Sequence, residues 1–305
     1  MAKISVVVPV YKAERCLGEL YERLKRALES LSADFEIILV EDHGGDRSWE
    51  IIKDLAAKDT RVRGLQFTRN FGQHCGITAG LDHATGNWVV VMDCDLQDRR
   101  EEIPRLYGKA KEGYHVVLAR RGPRKDPFFK KVVSNLFYRT FRYLSGIDYD
   151  GRVGNFRIIS ADAVHNFKNM HEQLRFFGGL MSWMGYPAAF IEVEHARSEL
   201  GRSTYTYRKL FRLAGEAIIA YSDKPLKMSI KMGALISAAS LASGLYILWR
   251  ALFVGVPVLG WASLFVSLYF LGGLIIFILG IMGIYLGKIF DETKRRPLYV
   301  ILDKV

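Results

Sequence analysis

The chain has few of the residues that announce a redox centre or a metal cluster. It contains three cysteines, Cys16, Cys75 and Cys94, an odd and scattered set. That excludes a disulfide scaffold and a zinc finger, and it fits a reducing compartment. The seven histidines are dispersed, with no His-x-x-x-His pair and no Cys-x-x-Cys. Neither Gly-x-Gly-x-x-Gly nor Gly-x-x-x-x-Gly-Lys-Ser/Thr follows the first apolar run, so a dinucleotide fingerprint and a P-loop are both missing. No cleavable signal is expected at the start, where Met1-Ala2-Lys3 leads only into the short run Ile4–Val10, interrupted by Pro9. Acids are scarce relative to bases, 32 against 43, for a formal charge of +11 over 305 residues. Such a surplus suits a polyanionic partner: nucleic acid, an anionic membrane face or a phosphorylated substrate.

Charge is missing altogether from Met232 to Trp249, and again from Ala251 to Gly287. As a helix the first run spans about 27 Å, close to the hydrocarbon thickness of roughly 30 Å. The second is too long for one crossing. Gly255, Pro257 and Gly260 read as a turn, followed by a helix over Trp261–Gly287. The alternative, a hairpin buried in a soluble core, conflicts with helices that stay uncharged all round. Glycines at 233, 244, 272, 273, 280 and 283 lead us to expect close helix approach in lipid. Lys224, Lys227 and Lys231 precede the first span, and Lys288, Lys294, Arg295, Arg296 and Lys304 follow the second. Both ends are therefore expected on the cytoplasmic side.

The first half alternates short β-branched runs with amphipathic ones. Strands are expected at Ile4–Val10, Phe35–Val40, Val62–Phe67 and Trp88–Met92. Helices are expected through Leu17–Leu31, after Ser48 as N-cap, over Gln73–Ala84 and from Glu101 onward. Strand–helix alternation implies a parallel sheet with helices on both faces and ligands beyond the strands' carboxyl ends. Two acidic clusters, Glu41-Asp42 and Asp93-Cys94-Asp95, fall there. Asp93 and Asp95, with Gln97 as a neutral oxygen, can converge on a hard cation, Mg²⁺ or Mn²⁺. A cation held there neutralises a diphosphate leaving group.

Between this domain and the spans lies a basic, aromatic region. Arg120, Arg121, Arg124, Lys125, Lys130 and Lys131 form a cluster, and apolar residues from Phe129 to Leu144 recur at three and four. Amphipathic helices are expected over about 128–144 and 205–221, suited to a headgroup layer. Arg-rich helices with aromatics could also bind nucleic acid. With a membrane hairpin alongside, a lipid-linked phosphate is the closer target, and nucleic acid is not expected.

The ordered motifs Ser5-Val6-Val7-Val8-Pro9-Val10-Tyr11, the acidic turn with Asp46 and Ser48, Arg69-Asn70-Phe71-Gly72-Gln73 and Met92-Asp93-Cys94-Asp95-Leu96-Gln97-Asp98 resemble glycosyltransferase family 2. With Asn155-Phe156-Arg157, Arg197 and Gly201-Arg202-Ser203-Thr204-Tyr205 ahead of the hairpin, the resemblance narrows. It points to the polyisoprenyl-phosphate sugar transferases, the branch with dolichol-phosphate mannose synthases and bactoprenol glucosyltransferases.

The resemblance implies an α/β, Rossmann-type GT-A-like catalytic domain at 1–204, with the interfacial helix at 128–144. A juxtamembrane amphipathic helix at 205–228, two membrane helices within 229–288 (about 230–254 and 261–287) and a basic cytoplasmic tail at 289–305 would follow. It further implies inverting transfer from a UDP- or GDP-linked sugar to polyprenyl phosphate, such as undecaprenyl phosphate, at the inner face of the cytoplasmic membrane. Pro9, Tyr11, Asp42, Asp93 and Arg120 would then bind the donor, with Asp93, Asp95 and Gln97 on the metal. Asp95, Asn155 and Arg157 would act at the reacting centre, and Arg197, Arg202 and Ser203 on the acceptor phosphate. Homo-oligomerisation is left open.

The chain departs from that family's pattern at three places: Glu41 begins the usual Asp-Asp-Gly-Ser turn, Asn155 stands where several relatives carry Asp, and Thr204 where they often carry Lys. A catalytically silent sugar-nucleotide binder and a non-lipid family 2 enzyme are the alternatives these departures suggest. A processive polysaccharide synthase would carry Gln-x-x-Arg-Trp, which Gln173-Leu174-Arg175-Phe176 does not match.

Overall fold

A computed structural model describes residues 3–31, 34–122, 139–140, 142–144, 153–193, 215, 222–253 and 260–305. Most of the helix expected at 128–144, the segment 205–221 apart from Gly215, and Arg197, Arg202 and Ser203 lie outside the described residues. The chain divides into two units, one built on a sheet and one on two long helices.

The sheet unit begins with β1 (Ile4–Val10), whose seven residues are all buried. Alternation is absent because both faces of this strand are covered, and only an unbroken apolar run satisfies that. Helix α1 (Leu17–Glu29) turns Leu17, Leu20, Leu24 and Leu28 to the core, one face at helical spacing. Next come β2 (Phe35–Glu41), α2 (Ser48–Lys58) and β3 (Val62–Phe67). Helix α3 (Gln73–His83) follows and then β4 (Trp88–Val91). Helix α3 lies directly on β1: a Cβ at Gly80 would run into the Val7 side chain. Beyond β4 come a short 3₁₀ turn (Arg100–Glu102), α4 (Ile103–Ala110), β5 (Val116–Arg121) and β6 (Val153–Ser160). Then α5 (Ala161–Lys168), α6 (Phe177–Trp183) and β7 (Ala188–Val193) complete the run.

The eight strands lie in the order β7-β5-β6-β4-β1-β2-β3-β8, where β8 is Ile301–Lys304. Strands β1 to β4 are mutually parallel, as the alternation implies. The expectation of a wholly parallel sheet needs correction. Strand β6 runs antiparallel to both β4 and β5, and β8 runs antiparallel to β3. Periodicity reports burial and says nothing of strand direction, so the mixed half was not legible. Ser48 is likewise not the N-cap: it is the first residue of α2, and its Oγ accepts the Ala13 N–H (3.0 Å), tying the β2 turn to the end of β1.

The helical unit consists of α7 (Lys224–Phe253) and α8 (Trp261–Thr293). The stretches Lys224–Tyr246 and Ser267–Thr293 are long and apolar enough to cross a membrane. Leu235, Leu241, Leu268, Ile276 and Leu286 are each exposed. In water such side chains would forgo about 1.5–3 kcal/mol apiece, so these helices suit lipid and are no buried soluble hairpin. Outside their own helix backbone, no described atom lies within 4 Å of a Cβ position at Gly233, Gly244, Gly272, Gly273, Gly280 or Gly283, so among the described residues these glycines mark no close helix contact. Instead Tyr285 Oη donates to the Ser222 carbonyl (2.7 Å) and ties α8 to the start of α7.

After α8 the chain returns to the sheet unit. Gly64 and Val305 exchange both backbone hydrogen bonds (2.9 and 3.1 Å), and the Thr68 N–H reaches Val300 O (3.1 Å). Tyr299 stacks on Phe67 at 5.3 Å and donates its hydroxyl to Asp82 (2.7 Å). The segment 289–305 thus splits into the end of a helix and an edge strand that covers β3. Each buried hydrogen bond contributes about 1 kcal/mol net, and 1 kcal/mol moves the midpoint of a domain this size by roughly 2–4 °C. Deleting Tyr299–Val305 is therefore expected to lower the thermal midpoint in detergent by roughly 5 °C or more; an unchanged midpoint would show the strand to be dispensable.

A second expectation concerns acid. Burial works to raise Glu36, but Ser5 Oγ (2.6 Å), the Thr85 N–H and hydroxyl (each 2.8 Å) and the Lys3 ammonium overcome it and hold the carboxyl at about 2. Its folded value lies below its unfolded one, so the contribution is full above about 4.5 and is lost as pH falls towards 2. Melting scans should show the wild type losing more stability across that window than Glu36→Gln, which has no charge to lose. Parallel curves would rule the linkage out.

Candidate active site

The carboxyl ends of β1, β2 and β4 lie side by side, because β1 pairs in parallel with both neighbours. Each strand is left through a non-glycine residue in the left-handed region: Lys12 (φ 51°), His43 (φ 52°) and Leu96 (φ 61°). Such backbone is costly, and its grouping on one sheet edge marks a site that the surrounding packing holds in place.

At the end of β1, Pro9 is buried while Tyr11 is 49% exposed, with the Lys12 ammonium 5.4 Å from its ring. At the end of β2, Glu41 and Asp42 are both buried. Glu41 closes its own turn, accepting the Gly44 N–H on Oε1 (2.6 Å) and Gln66 Nε2 on Oε2 (3.2 Å). The longer acid at this departure from the family pattern therefore has a structural use. Asp42 accepts the Phe71 N–H on Oδ1 (2.6 Å) and the Gly72 N–H on Oδ2 (2.9 Å), and its carbonyl accepts Asn70 Nδ2 (3.1 Å). Burial, reinforced by Glu41, raises the Asp42 carboxyl against the pull of those two N–H groups.

Gly72 has φ 94°, which lets the chain turn directly into α3. Gln73, the first helical residue, then donates Nε2 to Asp93 Oδ1 (2.7 Å). Asp93 follows β4, and Arg157 of β6 pairs with Val91, so the antiparallel register carries Asn155 across to Asp93. Asn155 Nδ2 donates to the same Oδ1 (3.0 Å). Asp95 accepts the Gln97 N–H on Oδ1 (3.1 Å). The sequence singles out Asp93, Asp95, Gln97 and Asn155; it leaves Gln73 without a role. A glutamine opening a helix straight after the glycine that ends the β3–α3 connection is the signal that could have found it.

The arginines separate. Arg157 is buried, donates to the carbonyls of Gly154 (2.7 Å) and Asn155 (3.3 Å), and lies 4.8 Å over the Phe177 ring. It braces β6 beneath Asn155. Beside it, burial and the Arg157 cation pull His74 down to about 4, so that imidazole is neutral at physiological pH. Arg120 sits on β5, 5.6 Å over Phe190. Arg175, buried and bonded to Thr78 Oγ1 (3.2 Å) and the Met170 carbonyl (2.6 Å), is structural.

Among the described residues no three His, Cys, Asp or Glu side chains form an all-protein metal cage. What is present at the end of β4 is an oxygen-only pair of carboxylates, with neutral amides on Asp93 Oδ1. That donor set fits a hard divalent cation that keeps waters or substrate oxygens in its shell.

Comparison with known proteins agrees with this geometry. An uncharacterised glycosyltransferase of Bacillus subtilis (strain 168) is 38% identical over 298 residues, covering 97% of this chain and 92% of its own. A bactoprenol glucosyl transferase of Shigella phage SfV is 37% identical over 300 residues, covering 98% of each. Among solved structures, mannosyl-3-phosphoglycerate synthase from Rubrobacter xylanophilus superposes with a TM-score of 0.50 at 14% identity, covering 75% of each chain, a likeness of fold. The family model for glycosyl transferase family 2 matches residues 5–171, and with the mixed GT-A-like sheet beneath it the chain belongs to that family.

Proposed function

We propose that this family 2 glycosyltransferase transfers a sugar from a nucleoside-diphosphate donor to a polyprenyl phosphate at the cytoplasmic membrane face. The observation that carries the reading is the convergence of Asp93, Asp95, Asp42 and Asn155 at one sheet edge, in a chain that also holds two helices fit for lipid. The naming of full-length relatives as bactoprenol glucosyl transferases supports the lipid acceptor. It also argues against a silent binder.

Asp93, Asp95 and Gln97 are the residues proposed to hold Mg²⁺ or Mn²⁺, which would supply the positive charge that a departing diphosphate needs. Pro9 and Tyr11 offer the nucleoside a wall, and Asp42 holds the 70–72 backbone that flanks it. The acceptor is a phosphate monoester with a second pKa of about 6, already largely dianionic at neutral pH. Its oxygen forms the new bond to the anomeric carbon as the bond to the diphosphate breaks, and the diphosphate leaves with the electron pair. No strong base is required, so the amide of Asn155 is adequate where relatives carry an acid. Arg197, Arg202 and Ser203, outside the described residues, and Arg120 are proposed to offset the charge of two approaching anions.

Chain connectivity supports a two-span topology. Strand β8 belongs to the same sheet as β1, so the chain must return to the side it left, and two crossings accomplish that. The lysines and arginines flanking both helices support the cytoplasm as that side.

Asp95→Asn is expected to lower the rate of radiolabelled sugar transfer to polyprenyl phosphate at least about 100-fold with an unchanged melting curve, and EDTA should stop the wild type. Full activity in EDTA would refute the metal assignment. Asp42→Ala is expected to raise the donor KM about tenfold or more while the acceptor KM stays within about twofold; equal rises in both would place Asp42 elsewhere. A panel of UDP- and GDP-linked sugars identifies the donor.

A further inference from the structure

The bond between Gln73 and Asp93 reaches across the sheet edge. Gln73 opens α3 directly after the loop from β3, and Asp93 follows β4. That loop is latched at its other end by Asp42, through the N–H groups of Phe71 and Gly72. Three consecutive residues, 71 to 73, thus connect the β2 carboxylate to the β4 carboxylate. The connection is stiff. Gly72 adopts φ 94°, Phe67 meets Phe71 edge-on at 5.5 Å, and α3 is pressed onto β1 at Gly80.

Gln73 and Asn155 approach the same oxygen, Asp93 Oδ1, from opposite sides of β4: one from the β1–β3 half of the sheet, the other from β6. Two donors converging on one oxygen constrain the plane of that carboxylate more than either would alone. Both are neutral amides, so neither adds a charge of its own beside Asp93. A lysine or arginine in either place would compete with any cation the carboxylate is meant to hold.

We infer that Gln73 is a positioning residue that sets the orientation of Asp93 for divalent metal, and that the Asp42-latched loop couples the nucleoside side of the site to the metal side. The inference rests on the proposed metal role of Asp93 and Asp95, and goes beyond it by assigning a supporting residue. Groups that orient a metal ligand commonly alter metal affinity 10- to 100-fold when removed.

The test uses full-length protein in detergent, with Mn²⁺ as the probe and UDP or GDP present in separate arms. Binding is read from the loss of the free Mn²⁺ paramagnetic resonance signal. Gln73→Met keeps the side-chain length and removes the donor; because Gln73 is exposed, its melting curve is expected to match the wild type. The Mn²⁺ Kd should rise about tenfold in Gln73→Met, with the acceptor KM unchanged. Asn155→Leu should give a similar rise, and the double variant less than the product of the two, because both residues hold one oxygen. A wild type that binds Mn²⁺ saturably, with a Gln73→Met Kd within twofold of it, overturns the inference and leaves the metal reading standing. A wild type that binds no Mn²⁺ in either arm overturns both.

Discussion

Strand β1 is buried along its whole length between two parallel neighbours, and the rest of the architecture answers to that constraint. β1 carries no titrating side chain along its buried length, so the chemistry at this part of the sheet is left to the residues beyond the strand ends. Because β2 and β4 run the same way on either side, their ends arrive at the same edge as that of β1. The acids that follow them, Asp42 and Asp93, are thereby brought together although 51 positions separate them in the chain. The exits are tight, and three of them pass through left-handed non-glycine residues. Strain of this kind persists only on a rigid base, which the buried strands provide.

Among the described residues, backbone N–H and amide groups hold the carboxylates of the site. Asp42 is occupied by two N–H groups, Glu41 by an N–H and an amide, and Asp93 Oδ1 by two amides. Neutral donors orient a carboxylate without adding charge of their own. The buried cations nearby do different work: Arg157 and Arg175 bond to carbonyl and hydroxyl oxygens and lie over aromatic rings, bracing the strand and helices beneath the site. Burial and Arg157 together keep His74 neutral, which avoids a second positive charge in the same crowded layer.

The same chain must satisfy two solvents. In the sheet unit apolar side chains point inward, and in α7 and α8 the large ones point outward. The return of residues 299–305 to β3 covers an edge that would otherwise offer unpaired N–H and C=O groups. It also gives the segment after the helices a fixed place on the sheet, through Tyr299 on Phe67 and Asp82.

Much of this was legible in the sequence, for identifiable reasons. Continuous β-branched runs marked β1 and β4 nearly residue for residue, and the leucine spacing marked α1, because burial imposes those patterns directly on the chain. Uncharged runs announced α7 and α8, since lipid tolerates no charge at that depth. The strand-end acids Asp42, Asp93 and Asp95 stood out by position. The antiparallel setting of β6, which brings Asn155 onto Asp93, left no periodic trace, and neither did β8, a short strand in an exposed tail. Ser48 looked like a cap for its own helix and instead serves Ala13, a contact between segments 35 residues apart. Gln73 carried no signal of its own charge or spacing. The sequence by itself determined which segments are buried, which are fit for lipid and where the acids emerge, because those depend on local composition. Only the tertiary structure decided which of those groups meet, because a hydrogen bond such as Gln73 to Asp93 depends on strand direction and register, and these are properties of the assembled sheet.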